Sequence, residues 1–493
     1  MKNQHHQSLK LSNFKPADLA DINSVTPEQF SNTAVFPRGT MAGIESALES
    51  LHSVLSSKRG QWKKRLIEEM IFILYLFLSK KQRGEISSYL EYVPLNTAVL
   101  SEVFGKGERF GELRDVTQSL PFLEAEPDRN YYAGGFSRSY RLGETFRALL
   151  LLEQGSCSAN NDNGSEADDD ELLESRFIRQ WRYRQAKRYL QTVLNSPYRE
   201  EYARQITLSS RLSVNWDSVP LEKIHLPTCR SSEQNTADNA GNDVSENADR
   251  IAFQTLRDME RIDRLHGWSI AHGRFFTPFH RLKKNLRRCV LLSGEPITEL
   301  FDVTACFVTL TAILYARKTG DRTFLNRLKS MDIYQMIADY HNEYFGTPAY
   351  TLTRDEIKPV MMRYLFSNRT ERQLCMDNQG KQGEIMRDVH GWFRWYPEIR
   401  DFITDYPSRY SGNKYKSQLS TDCQELEAEI MFGRVLPELN RLFPQCCFLS
   451  LHDGIFIRTS DYSAIKDRLN ARKTPEEMAG EIFWNAVAEL LNT

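Results

Sequence analysis

The sequence predicts an α+β chain, mainly helical, in which a small sheet is set among helices. Three observations carry this expectation. Apolar residues recur at helical spacing over residues 419–432 and continue through Leu436, Leu439 and Leu442 to Pro444, the signature of an amphipathic helix. Two short apolar runs with strand character, residues 296–302 and 448–457, each carry a carboxylate, Asp302 in the first and Asp453 in the second. Two stretches without apolar anchors, residues 154–170 and 231–249, break the chain.

A chain of 493 residues holds two to four domains. The breaks divide it into an N-terminal extension (1–60), a helical, winged-helix-like domain (61–150), an acidic flexible linker (151–172), a helical basic segment (173–230), a flexible loop (231–249) and a core (250–493). In 61–150 the pattern predicts helices at 67–78, 97–104 and 110–120. Strands at 122–126 and 137–142 follow, around Tyr131-Tyr132-Ala133-Gly134-Gly135. Three short helices and a basic hairpin describe a winged helix. Arg114 would then face a DNA groove, with Arg138 and Arg141 on the wing near phosphates; winged helices also dock proteins. Residues 176–188 interleave Arg179, Arg182, Arg184 and Lys187 with Trp181 and Tyr183. Such a segment either tracks a nucleic-acid strand through charge and stacking or is a helix with one solvated basic face.

A net charge of −1 and a pI near 6.8 exclude a protein that coats nucleic acid wholesale, so binding must rest on local patches. Residues 250–288 form one, with ten Arg or Lys against three acids. The eight cysteines lack Cys-x-x-Cys spacing, as expected of reduced thiols in a cytoplasm without structural zinc. The longest apolar run, residues 70–78, is too short to span a membrane and reads as a buried helix.

A carboxylate beside buried sheet is costly unless a partner charge or a metal compensates it. Asp302 and Asp453 on neighbouring strands would clamp two divalent cations for in-line attack on a phosphate. The His452-Asp453-Gly454 turn is also an ordinary hairpin signal. Between the carboxylates, Thr353 and Glu356 have the spacing of a helix capping box. Arg354 and Lys358 lie four apart on one helical face, suited to a triphosphate or simply solvated. Upstream stand His272-Gly273-Arg274 and the basic run that ends in Arg287-Arg288.

In this order the motifs resemble the palm and fingers of the family A DNA polymerases, the group of bacterial DNA polymerase I. More distantly they are similar to the single-subunit phage RNA polymerases. The resemblance covers roughly residues 265–460, in the spacing sense of a motif match. It implies that Gly273 and Arg274 touch the primer-template; Arg287 and Arg288, at the end of the basic patch 250–288, are expected on nucleic acid through their charge. It also implies that Asp302, Val303 and Asp453 hold two Mg2+ ions, with Mn2+ an alternative, and that Arg354 and Lys358 serve catalysis at the triphosphate. The family's Gln-x-x-x-x-Asp-Ile helix looks like residues 424–430, with Gln424 on nucleic acid and Glu429 as the acid. Its His-Asp turn looks like residues 451–454, with His452 at the substrate. Met362 stands where the family stacks an aromatic ring on the nucleotide, so Tyr364 or Phe366 would substitute. Pro359 implies a kinked helix or one that starts late. Gly454 replaces the family's glutamate, leaving two strong metal carboxylates. Phe307, five residues after Asp302, falls where the family blocks the ribose 2′-hydroxyl; a buried core phenylalanine is the other reading.

The expected function is template-directed DNA synthesis from nucleoside triphosphates on a primer-template, by a cytoplasmic enzyme of a mobile element, phage or bacterium. Two alternatives accompany it: an RNA polymerase or primase-like enzyme, and a non-catalytic DNA-binding replication initiator with a degenerate palm.

Overall fold

The structure, a computed structural model, describes residues 25–37, 40–49, 60–82, 92–95, 103–104, 123–125, 139–143, 170–219, 252, 255–260, 262, 267–344, 351–411 and 414–492. It is α+β and mainly helical, with several small sheets. Strands β1 (Thr33–Pro37), β2 (Val93–Pro94), β3 (Leu123–Ala125), β4 (Ser139–Leu142) and β5 (Asp170–Glu174) precede the main body. β1 pairs antiparallel with β5, and the other three form a sheet in the order β2-β4-β3. The helix Gly60–Gln82 buries Phe72, Ile73, Leu74 and Phe77 in one core with Phe36, Val93, Leu142 and Leu173.

The strands expected at 122–126 and 137–142 are present and paired, with Glu124 opposite Arg141. The helix expected at 67–78 lies inside Gly60–Gln82. The other two expected helices fall almost entirely outside the described residues, as do Arg114 and Arg138. One boundary is corrected. Residues 170–172, expected at the end of the acidic linker, belong to the strand Asp170–Glu174, which buries Leu173 and leaves Leu172 exposed. Its partner is the distant β1, so no local hairpin signal announces it.

The helix Arg176–Asn195 joins two cores. Its first turn puts Phe177 and Ile178 into the N-terminal core, while Ala186, Leu190 and Val193 enter the main one. Ser175 caps it, accepting from the Phe177 N–H at 3.3 Å and donating to the Glu68 carbonyl at 2.7 Å. Its arginines act as tethers: Arg182 donates to the carbonyls of Ser31 (3.0 Å) and Thr33 (2.9 Å), and Arg176 pairs with Glu68. After the helix Arg199–Ser209 the chain supplies β6 (Leu212–Val214). β6 is the outer strand of the main sheet, which ties the segment after Arg199–Ser209 to the strands that follow.

Then follow the hairpin β7 (Ser269–Ala271) and β8 (Arg274–Phe276), the hairpin β9 (Val290–Leu292) and β10 (Glu295–Asp302), and the pair β11 (Ser408–Ser411) and β12 (Lys414–Ser417). The last hairpin is β13 (Leu449–Leu451) and β14 (Gly454–Arg458). The main sheet is antiparallel, in the order β13-β14-β10-β9-β6. Period-two alternation divides its side chains between two cores. Ile455 and Ile457 face one, and Phe456 faces the other with Val290, Leu292 and Leu449. The outer edge of β13 is closed by a side chain: the buried Gln205 amide donates to the Phe448 carbonyl (2.8 Å) and accepts from the Ser450 N–H (2.9 Å). It stands in for a neighbouring strand.

Three helices frame the strand ends: α1 (Cys306–Thr319), α2 (Arg354–Phe366) and α3 (Gln418–Ile430). α2 begins at the Thr353–Glu356 capping box and continues through Pro359, so its start is not delayed. α3 passes through a π-helical turn, Met431–Val435, into the helix Leu436–Leu442. Among the described residues no helix is long and apolar enough to cross a membrane.

Candidate active site

Asp302 ends β10, and Asp453 lies in the two-residue turn between β13 and β14. The register sets Asp302 opposite Gly454, and the Val303 N–H donates to the Asp453 carbonyl at 3.2 Å. The pairing of β10 with β14 is interrupted by a bulge between Glu299 and Phe301. Consecutive residues Leu300 and Phe301 consequently both pack into the same core, Phe301 against Phe483 at 5.6 Å. The bulge leaves Asp302 at a solvent-open strand end. A Cβ on Gly454 would stand 3.3 Å from the Phe301 carbonyl and 3.4 Å from the Asp302 carboxylate. A larger side chain there would crowd Asp302, which accounts for glycine at this position.

Both carboxyls are raised, and Asp453 contributes to the rise of Asp302. Desolvation first, then the charges of Asp453 and Glu299, push the Asp302 carboxyl from its ordinary 3.8 up to about 6, against the opposing pull of Lys358 and Lys284. Burial likewise raises Asp453, while its own backbone amide, the Cys306 thiol, Arg274 and Lys358 hold it down. Two carboxylates brought to neighbouring strand ends, each disfavoured in its charged form, are a donor set for a hard divalent cation. Among the described residues no three His, Cys, Asp or Glu side chains form a metal-holding group. Mg2+, however, is commonly held by one or two carboxylates with water and substrate phosphates. Asp302, Asp453 and the main chain at Val303 fit that description.

The expected cations divide. Lys358 is exposed on α2 and lies close enough to lower both carboxylates. Arg354 is instead held by Asp332 at 2.8 Å, above the Tyr334 ring. Arg287, half-buried, donates to the Leu282 carbonyl (3.1 Å) and feels the charges of Glu299, Asp302 and Asp453. Arg288 is exposed beside it, and Lys284 faces Glu299 at 3.7 Å. Arg141, on β4, is paired with Glu124 at 2.6 Å over the Tyr92 ring.

Several of the expected residues are engaged by partners within the fold. Arg274, expected at the primer-template, is only 8% exposed and forms a buried ion pair with Glu427 on α3. Gly273 makes this approach possible. It is left-handed (φ 74°), and a Cβ on it would come within 2.7 Å of the Ala428 Cβ. Tyr202 donates its hydroxyl hydrogen bond to the Gly273 carbonyl. Tyr364 is fully buried on the core side of α2, stacked on Phe393 at 5.3 Å and hydrogen-bonded to His390 at 3.1 Å. Phe366, two residues on, is the ring that faces α1: it meets Phe307 edge-on at 5.0 Å. Phe307 is half-buried, with the Arg274 guanidinium 5.1 Å from its ring centroid. His452, left-handed at φ 53°, turns its ring to Phe276 (5.1 Å) and His280 (4.7 Å); burial lowers its pKa to about 4. It is a neutral wall behind the turn. Gln424 donates to the Ser420 hydroxyl at 3.2 Å, along its own helix.

On α3 the acid expected at Glu429 pairs outward with Arg317 at 3.0 Å. The acid next to the site is Glu427, two positions earlier, with the Cys306 thiol 3.6 Å from its carboxylate. Burial raises Glu427 to about 7, with Arg274 opposing and Asp453 adding to the rise. Cys306 and Glu427 were both missed in the sequence. Glu427 was readable as a buried position, four residues after Cys423 and three before Ile430. Comparison of the chain with protein-family models and with curated proteins returned no match.

Proposed function

We propose that this chain is a template-directed nucleotidyltransferase, extending a primer with deoxynucleotides in the manner of the family A DNA polymerases its motifs resemble. The observation that carries the reading is the pairing of Asp302 with the Asp453 turn across β10 and β14, with both carboxyls raised by burial, Asp453 adding to the rise of Asp302, and Lys358 pulling both down. Bound Mg2+ would supply charge neutralisation and activation of an attacking oxygen. In this reading Asp302 and Asp453 hold the cation, and Lys358 meets phosphate as a mobile point charge. Phe307 and Phe366 form an aromatic wall beside the sugar and base. Arg287, Arg288 and Lys284 form the basic rim along which a nucleic-acid backbone runs. Arg354, held by Asp332, shapes the start of α2 and reaches substrate only if that pair opens. The same reading assigns the protein to the cytoplasm, where thiols such as Cys306 and Cys423 stay reduced.

The test is a primer-extension panel crossing DNA and RNA templates with deoxy- and ribonucleoside triphosphates, in Mg2+ and in Mn2+, with Asp453→Asn as the control. Incorporation that the control abolishes supports the proposal. Absence of incorporation on every combination, together with a mobility shift of duplex DNA without nucleotides, would favour a DNA-binding protein with an inactive core.

A further inference from the structure

We infer that Glu427 is a positioning residue that sets how the site selects the sugar, because it fixes Arg274 against the ring of Phe307. The selectivity part rests on the reading above; the placement of the ring does not. Glu427 is 3% exposed and Arg274 8% exposed, and the pair links α3 to β8 across 153 residues of sequence. A buried ion pair is seldom a better stabiliser than two apolar side chains of the same size, so its geometry asks for another explanation. Here the geometry ends on Phe307. The guanidinium stands 5.1 Å from the ring centroid, and Phe366 meets the same ring edge-on at 5.0 Å and 82°. A phenylalanine otherwise free to change rotamer is thereby held between a cation and a second ring.

Glu427 also holds the other end of this turn of α1. Cys306, adjacent to Phe307 in sequence, places its thiol 3.6 Å from the Glu427 carboxylate. The same thiol stands close enough to Asp453 to help hold its carboxyl down. The contact of Gly273 with Ala428 sets how closely β8 approaches α3, so Arg274 has little room to choose another partner. One buried carboxylate therefore fixes both the aromatic wall and a neighbour of the metal-side carboxylate. Displacement of a positioned group by about 1 Å commonly changes rate by on the order of 10²-fold.

The experiment uses the full chain carrying 4-fluorophenylalanine at position 307, with and without Glu427→Gln, read by 19F NMR. It is accompanied by the ratio of single-nucleotide incorporation efficiencies for matched deoxy- and ribonucleotides. Glu427→Gln should move or broaden the 19F line and lower the deoxy/ribo ratio by roughly tenfold, the scale of a lost cation–ring contact. A merely structural carboxylate would lower both efficiencies alike and leave the ratio in place. A 19F line unchanged in a folded Glu427→Gln protein overturns the inference, whatever the kinetics. A shifted line with an unchanged ratio overturns the selectivity role. A shifted line in a protein that incorporates no nucleotide, substituted or not, refutes the polymerase reading and the selectivity role with it, leaving only the ring placement. If Glu427→Gln does not fold, the double variant Arg274→Met with Glu427→Met removes the charges at nearly constant volume, and the same shift is expected of it.

Discussion

Replacing Asp302 by asparagine should make the metal-free protein more stable while abolishing nucleotide incorporation. In the folded chain the Asp302 carboxyl is raised from 3.8 to about 6, chiefly by desolvation and by Asp453. Its proton is therefore held more tightly in the folded than in the unfolded state. As pH rises from about 4 to about 6 the folded state gives up that advantage, and above pH 6 the charged carboxylate is a constant destabilising load. A shift of this size corresponds to about 3 kcal/mol at most. Asp302 is open to solvent, and screening reduces the figure to on the order of 1 kcal/mol. Asparagine removes the charge, so at pH 8 Asp302→Asn should melt about 1–2 °C above the unsubstituted protein, with the difference gone near pH 4. The assay is thermal melting in EDTA across pH 4–8, repeated with Mg2+. The cation should raise the melting temperature of the unsubstituted protein, by about 2.7 kcal/mol of binding stabilisation at a hundredfold excess over Kd, and should do little for the variant. A variant destabilised equally at pH 4 and pH 8, or one that still extends a primer, would refute the assignment of Asp302.

Three further outcomes are expected. Lys358→Ala should raise the nucleotide KM and slow incorporation by about 10², and, because Lys358 pulls Asp302 down, NMR titration should show the Asp302 pKa above 6 in the variant. Phe307→Ala should admit ribonucleotides at a stability loss of about 2 kcal/mol, below the roughly 3–5 kcal/mol of a fully buried phenylalanine, as read from urea melts beside incorporation ratios. Gly273→Ala should destabilise by about 2–4 kcal/mol in the same melts, from the left-handed backbone and the clash with Ala428 together; a near-neutral result would show that the hairpin β7–β8 is free to lift from α3.

What could be read from the sequence had local causes. Asp302 and Asp453 announced themselves because each closes or interrupts an apolar run, and the start of α2 was written in Thr353 and Glu356. The strands at 123–125 and 139–142 followed from alternation on either side of a glycine pair. What could not be read depends on partners far along the chain. Nothing near Arg274 says that it will be buried, since Glu427 is 153 residues away. β6 was invisible as a sheet strand because its partner β9 lies beyond a long intervening stretch. The choice between Tyr364 and Phe366 turned on which face of α2 meets the core, and Pro359 within the helix obscured that phase. The motif resemblance points to Glu429, whereas the apolar stripe of α3 points to Glu427.

The strand order β13-β14-β10-β9-β6 has a consequence for how the chain acquires its chemistry. Hairpins such as β9–β10 form from neighbours within microseconds, but β14 can dock on β10 only after a long stretch of chain has been made and closed. The Gln205 clasp on β13 joins residues 243 positions apart. During synthesis Asp302 emerges long before Asp453, and an incomplete chain carries one carboxylate without its counterpart. If the proposed Mg2+ site is held by both carboxylates, its full affinity would therefore be among the last properties to appear on folding and among the first lost when the terminal hairpin detaches. A refolding trace followed by Mg2+-dependent signal would lag the recovery of helical signal, making cation affinity a reporter of chain completion.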